Sequence, residues 1–453
     1  MAVGHGEEKV FQESRKLAAL ALPLALTQLA QVALTTTDTV MMGLLGTEAL
    51  AAGGLAIVLF NQLRTMGVGL VTGLGNQVAA ASARGGERSE LRDLVRAGMT
   101  LATLAGVAGA LLMVGLGHLL AWLGQDPRVI ELARPMLLAL APGLVPCLWF
   151  QVIRQFTVGM RRPKALVWIT VVSIAVNAGL NWVLIHPFGL AGVGLATALV
   201  YLLSFLALYA ITRRDPVLAP MLALDAWRVR PDRLRGLARL GVPIAATYGS
   251  EAGFFSVVAL LMGSFGAAAL AAHTAVNQLV YIVFQMSVGL SHAASISVSG
   301  EVAVDGYGSA ARVGRTALVH GALVATVIAA VYLLLPEAVL RPFLDADPAA
   351  LAVAADLLVV AAVLQYFDSA QNIGVGLLRG LDDTRSGFRM TLIGYWAVGL
   401  PAAWLLGHVA GAGPVGAWVG LLAGLAVTAF LLLARFRRTL GERGGEAVRG
   451  AAR

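Results

Sequence analysis

Residues 42–52, Met-Gly-Leu-Leu-Gly-Thr-Glu-Ala-Leu-Ala-Ala, return 220 positions later as Met-Gly-Ser-Phe-Gly-Ala-Ala-Ala-Leu-Ala-Ala at 262–272. The same offset pairs Pro23 with Pro243 and Val68-Gly69-Leu70 with Val288-Gly289-Leu290. It drifts by a residue or two where Asp126-Pro127 meets Asp347-Pro348 and Gly192-Val193-Gly194 meets Pro414-Val415-Gly416. Residues 17–212 and 237–436 thus say nearly the same thing twice. In a very apolar chain, a duplicated half points to a transporter built from two bundles with its ligand path between them.

The chain has 453 residues, 58% hydrophobic and 13% charged. A soluble domain carries about 25% charged residues, so this composition implies a polytopic membrane protein. Its 52 glycines suit spanning helices that pack through small residues. The single Cys147 excludes an intrachain disulfide framework and a Cys-based metal site. The first 16 residues, with Glu7, Glu8, Lys9, Arg15 and Lys16, lack the layout of a cleaved signal peptide and read as a solvated lead-in.

Continuous apolar runs long enough to span, about 20 residues each, predict helices near 17–44, 51–80, 98–120, 135–158, 165–186 and 191–212. The second half predicts 239–262, 270–298, 314–335, 351–378, 388–408 and 415–435. Barrel strands would be shorter and alternating. Six helices return the chain to its starting side, so the repeat is parallel. The expected fold is all-α: twelve transmembrane helices in two six-helix bundles, related by a pseudo-two-fold along the membrane normal. The expected lobes are residues 1–225 and 226–453. Of the 33 Lys and Arg, 28 fall before helix 1, in even-numbered connections, or after helix 12. By the positive-inside rule both termini are cytoplasmic. The formal charge of +8 is therefore an orientation code rather than a nucleic-acid patch. The longest connection, Arg213 to Arg239, holds Pro216, Pro220 and Pro231 and reads as the linker between halves.

A charge at mid-membrane costs at least about 2.5–3.5 kcal/mol, so ionisable residues there face a bundle interior or water. Asp38 follows Thr35-Thr36-Thr37 in helix 1, with Gln28 and Gln31 one to three turns earlier. Asn177 and Asn181 share one face of helix 5. Glu251 lies in helix 7, and Asp368 in helix 10 is followed by Gln371 and Asn372. Carboxylate and amide oxygens are the hard ligands that Na⁺ prefers, and a carboxyl pair out of water can equally hold a proton. The plainer reading is that each carboxylate hydrogen-bonds a neighbouring helix. Met262, Phe284 and Met286 suit a tolerant pocket, or plain packing.

The segment Pro23 to Gly43, with Thr-Asp38-Thr-Val-Met-Met-Gly43, resembles helix 1 of multidrug and toxic compound extrusion (MATE) transporters of the NorM branch. So do Gln151-Val-Ile-Arg154-Gln-Phe-Thr-Val-Gly159, Asn177-Ala-Gly-Leu-Asn181-Trp182, Tyr366-Phe-Asp368-Ser-Ala-Gln371 and Leu378-Arg379-Gly380. The resemblance runs from about residue 12 to 438. It implies export of organic cations and amphiphilic drugs, driven by inward Na⁺ or H⁺ without a cofactor, from a bacterial inner membrane. It implies coupling at Glu251 and Asp368, the Na⁺ candidates, and at Asp38. The polar substrate cavity is expected to use Asn177, Asn181, Gln28, Gln31, Gln371, Met286 and Phe284, in a monomer whose other partners are membrane lipids. Some family members carry Asp where this chain has Asn181, which favours coupling in the second lobe. Arg64 is not part of the NorM pattern and reads as structural.

A flippase for lipid-linked precursors shares the architecture, but its anionic substrate demands several basic residues where only Arg64 and Arg154 are intramembrane. A membrane enzyme needs a metal or nucleophile constellation, and none is found. Gly411-Ala-Gly413-Pro-Val-Gly416 matches GxGxxG without a preceding strand. Asp382-Asp383 reads as a charge-balanced loop. His273 and His292 read as packed histidines before proton relays, and Trp122, Trp182 and Trp418 as interface anchors.

Overall fold

The computed structural model describes residues 2–119, 127–225, 228–304, 306–344 and 348–451. Twelve of its helices are long and apolar enough to cross a membrane. They are α1 (Gln12–Gly43), α2 (Glu48–Ala83), α3 (Arg88–Leu119), α4 (Pro127–Gly159), α5 (Lys164–Phe188) and α6 (Leu190–Arg214), then α7 (Pro231–Gly263), α8 (Ala267–Val304), α9 (Tyr307–Leu334), α10 (Pro348–Gly380), α11 (Thr384–Val409) and α12 (Gly413–Gly444). Several begin 7 to 10 residues before the apolar run: α3 at Arg88, α7 at Pro231 and α9 at Tyr307. Hydropathy marks where hydrocarbon starts, whereas the backbone ladder continues into water wherever helix-forming residues allow. A 3₁₀ turn at Ala141–Gly143, around Pro142, interrupts α4. Two π-helical stretches, Ile393–Gly399 and Leu405–Val409, interrupt α11.

The repeat is visible in the backbone. After α1, Leu45 and Gly46 donate to Met42 and Gly43 carbonyls, and Gly46 takes φ 107°. After α7, Phe265 and Gly266 do the same to Met262 and Gly263, with φ 105° at Gly266. Only glycine adopts that conformation without strain. The motif that opens the sequence reading is thus a helix–turn–helix corner formed twice.

The chain divides into two compact units, Leu26–Tyr248 and Met1–Ala25 with Gly249–Arg453. The divisions fall inside α1 and α7 rather than in the connection that joins the repeats. In the first unit α4 packs on α2, α3 and α6, and α5 pairs with α6. In the second α10 packs most extensively on α8 and α12, and α12 lies along α11. The second unit's core includes Phe254, Val276, Leu357, Leu364 and Trp418. The first unit's includes Met42, Phe60, Met136 and Leu190. Leu111, Val183, Leu260, Val327 and Phe430 are among the exposed apolar side chains that suit lipid.

Two helix ends differ from the sequence expectation. Trp418 is fully buried rather than interfacial: its indole N–H donates to His273 Nδ1 at 3.2 Å, which ties α12 to α8. α10 also runs two residues past its predicted end at 378, to Gly380, and turns the buried Arg379 guanidinium onto His292 Nδ1 at 3.3 Å. His273 and His292 thus serve packing contacts. Trp182 is 58% exposed, as an interface anchor would be, and Trp122 lies outside the described residues.

The connection after α6 is tied down at two points. Arg162 bonds Asp215 at 2.6 Å, and Arg96 grips Asp225 through Nε at 3.1 Å and Nη2 at 2.8 Å. Hydrogen bonding from Arg96 holds the Asp225 carboxyl below its usual range. The anchor is therefore complete at neutral pH and lost only as pH falls below the ordinary carboxylate range.

Close packing in the membrane depends on small residues, and the repeat uses them twice. A Cβ on Gly69 would lie 2.7 Å from the Ala245 Cα, and one on Gly289 would lie 2.6 Å from the Ala25 Cα. Both neighbours are backbone and cannot step aside. Gly69→Ala and Gly289→Ala are each expected to destabilise the protein by about 1–3 kcal/mol, as overpacking does. Gly54→Ala, which enters open space, should not. Thermal unfolding in detergent checks this, and equal melting temperatures for all three would contradict the packing.

Candidate functional site

In the unit Leu26–Tyr248, Asp38 stands in the run Thr35-Thr36-Thr37-Asp38-Thr39. The four threonine hydroxyls bond back to carbonyls one turn earlier, at 2.9–3.3 Å, and do not serve it. Asp38 is 5% exposed, and its donors come from other helices. Asn181 Nδ2 on α5 reaches Oδ1 at 2.8 Å, and Thr197 Oγ1 on α6 reaches Oδ2 at 2.8 Å. Asn181 also donates to Asn177 Oδ1 at 3.1 Å, one turn along α5. Thr35, Asp38, Asn61, Asn177, Thr197 and Tyr201 supply the polar lining of a cavity that Leu34, Phe60 and Leu140 help to close. The buried Asn181 Oδ1 and Asn177 Nδ2 have no hydrogen-bond partner. Arg64 stands beside this cavity, donating to Asn61 Oδ1 at 3.2 Å and acting electrostatically on Tyr201.

In the unit Gly249–Arg453, Glu251 on α7 meets α10 and α11. The Tyr395 hydroxyl lies 2.9 Å from Glu251 Oε1 and also bonds the Gln371 side-chain oxygen. One hydroxyl proton serves only one of those acceptors at a time. Gln371 Nε2 reaches Glu251 Oε1 at 3.5 Å. Asp368 is 2% exposed and receives Asn372 Nδ2 on Oδ1 at 3.2 Å, while its Oδ2 has no partner. The Glu251 charge acts electrostatically on Asp368 within the same unit. Tyr395 is within a π-helical stretch of α11, a device that redirects side chains and is frequent at functional sites. Phe254 stacks on its ring, with centroids 4.7 Å apart.

The other sequence candidates lie elsewhere. Gln28 accepts from Arg154 at 3.4 Å, and Gln151 accepts from the same guanidinium at 3.1 Å. Gln31 is half-buried and does not line the Asp38 cavity. Phe284 stacks on Tyr281 and, like Met286, is half-buried on α8. Met262 is core packing. Thr197, Tyr201, Asn61 and Tyr395 escape the sequence reading because they are neutral polar residues in apolar runs. The offset helps little: Tyr201 and Tyr395 have no counterpart that marks them.

Among the described residues no three His, Cys, Asp or Glu side chains cluster. A cation in either unit would therefore rely on one or two carboxylates with amide, hydroxyl and backbone oxygens. That donor set suits a hard monovalent ion or a proton better than a transition metal.

A family model, MatE, matches residues 23–183 and 243–405, once in each repeat. A protein from Pseudomonas aeruginosa described as a probable multidrug resistance protein NorM is 38% identical over 436 residues, covering 94% of this chain and 89% of its own. A Bradyrhizobium diazoefficiens protein of the same description is 37% identical and covers 92% of both chains. Among solved structures, the eukaryotic MATE transporter AtDTX14 superposes with a TM-score of 0.82 at 21% identity, covering 96% of this chain and 99% of that one. A MATE transporter of the MOP superfamily, solved in an outward-facing conformation, gives 0.87 at 17% identity over 95% and 96%.

Asp38 needs its Asn181 donor if the carboxylate is to stay buried. Asn181→Ala should lower stability by about 1–3 kcal/mol, the penalty for an under-satisfied buried acceptor. In an Asp38→Leu background the same change should cost much less. Thermal unfolding of the four proteins measures the coupling, and additive effects would contradict it.

Proposed function

This chain belongs to the MatE family, as a NorM-type multidrug efflux transporter and not an enzyme, and on that premise we propose that it exchanges organic cations and amphiphilic drugs for inward-moving Na⁺ or H⁺. The observation that carries this reading is the cluster of Glu251, Asp368, Gln371 and Tyr395. It sets two electrostatically interacting carboxylates inside the apolar unit and leaves Asp368 Oδ2 unpaired. A cation or proton arriving there would relieve the repulsion between them. A cationic drug would be drawn by the same charges, so the two guests disfavour each other. Reciprocal coupling of that kind, with alternating access to the two membrane faces, yields exchange.

Asp38 is the proposed third coupling carboxylate. It already holds one good donor on each oxygen, so Glu251 and Asp368 carry the larger share. Asn177, Asn181 and Gln371 orient the carboxylates. The excess of basic residues on one side of the spans supports an orientation with both termini cytoplasmic in a bacterial inner membrane. The buried arginines among the described residues are Arg154 and Arg379, which with half-buried Arg64 make too few intramembrane cations to favour the anionic substrate of a lipid-precursor flippase.

Transport by everted membrane vesicles under imposed Na⁺ or pH gradients tests the proposal. Glu251→Gln and Asp368→Asn are each expected to reduce gradient-driven drug uptake at least about tenfold, within the usual size of a coupling free energy, with normal amounts of inserted protein. Unimpaired uptake in both variants defeats the assignment.

A further inference from the structure

Arg154 is a buried charge that the proposed exchange does not use. It lies on α4 five residues before the helix ends at Gly159, where Phe150, Val152, Ile153 and Phe156 are at most 3% exposed. The arginine itself is 3% exposed, so its guanidinium does not reach water. Its side-chain hydrogen bonds go to two neutral oxygens, Gln151 Oε1 at 3.1 Å and Gln28 Oε1 at 3.4 Å, and its Nε has no partner. Among the described residues no carboxylate pairs with it. The one described group that acts on it electrostatically is the Tyr248 phenol of α7, uncharged at neutral pH.

A guanidinium only donates, so both glutamines must turn their oxygens to it, which leaves each with an NH₂ group to satisfy. Neither NH₂ bonds another described residue. The surroundings of Arg154 are thus rich in donors, short of acceptors, and hold a full positive charge without a counter-charge. Buried charges are normally paired or bind an ion. We propose that Arg154, with the Gln28 and Gln151 amides, holds a small inorganic monovalent anion, chloride, as its counter-ion. Water would accept the spare hydrogen bonds but leave the charge. Sulfate or phosphate would reverse the charge, since one cation faces them. A bulky organic anion does not suit a side chain packed so closely. The repeat holds no second copy: at the offset of 221 seen at Asp126 and Asp347, Arg154 corresponds to Val375 and Gln151 to Asn372. With the anion in place, the unit that contains Asp38 loses a positive charge that would oppose an arriving organic cation. Chloride would occupy this place whichever cation drives exchange.

The test is thermal unfolding of the purified full-length protein in detergent, with chloride replacing gluconate at constant Na⁺, ionic strength and pH. The wild-type protein should gain stability along a saturable chloride curve, and bromide should substitute. Gln151→Glu sets a fixed carboxylate where the amide oxygen meets the guanidinium. Without chloride it should melt at the same or a higher temperature than wild type, and its chloride response should be lost. Gln28→Glu should act in the same direction. Arg154→Gln should lose the response as well; if it fails to fold, Gln151→Glu alone decides. A wild-type melting temperature indifferent to chloride overturns the site. So does a chloride response of equal size in Gln151→Glu, the mark of a general salt effect. Stabilisation by added phosphatidylglycerol in place of chloride overturns the choice of ligand. Failure on any of these counts leaves the cation-driven exchange standing, because Glu251→Gln and Asp368→Asn test that separately.

Discussion

A carboxylate in an apolar interior must be met by donors, by a counter-charge or by a guest. That constraint organises both units. Asp38 meets it with donors, one hydrogen bond to each oxygen from α5 and α6. Glu251 and Asp368 meet it only partly: Tyr395, Gln371 and Asn372 supply bonds, but one Asp368 oxygen is left over. The first arrangement is complete in itself and the second is poised for an arriving positive charge. The difference lies in hydrogen-bond inventory, not in the number of acidic residues alone.

The duplication kept its scaffold and moved its chemistry. Gly46 and Gly266 form the same corner, and Gly69 and Gly289 make the same backbone approach to Ala245 and Ala25. At the shared offset of 220, however, Glu251 corresponds to Gln31 and Asp38 to Val258. Helix packing constrains small residues wherever two backbones meet, in both halves alike. A buried charge is tolerated only where local partners exist, so each half could specialise once its neighbours differed. The π-helical stretch that sets Tyr395 belongs to α11, while α5 runs as regular helix over Lys164–Phe188.

The spans were legible in the sequence because hydrocarbon demands long apolar runs with polar punctuation. Their ends were less so: helices such as α3 and α9 continue past the apolar stretch, where hydropathy no longer reports the backbone. Asp38, Glu251 and Asp368 were legible as costly charges. Thr197 and Tyr395 were not, since a neutral polar side chain in an apolar run looks the same whether it lines a site or packs. Trp418 misled for a related reason. Its position near a helix start suggested the interface, but the α12–α8 packing and the His273 acceptor draw it inside.

The central claim is that one positive guest excludes another at the acidic cluster of the second unit. Equilibrium titration of the purified transporter with a fluorescent organic cation, repeated at increasing Na⁺ and separately at decreasing pH with ionic strength held constant, measures this directly. The account predicts that the dissociation constant of the dye rises steadily with one of those two ions. A dissociation constant indifferent to both would contradict it.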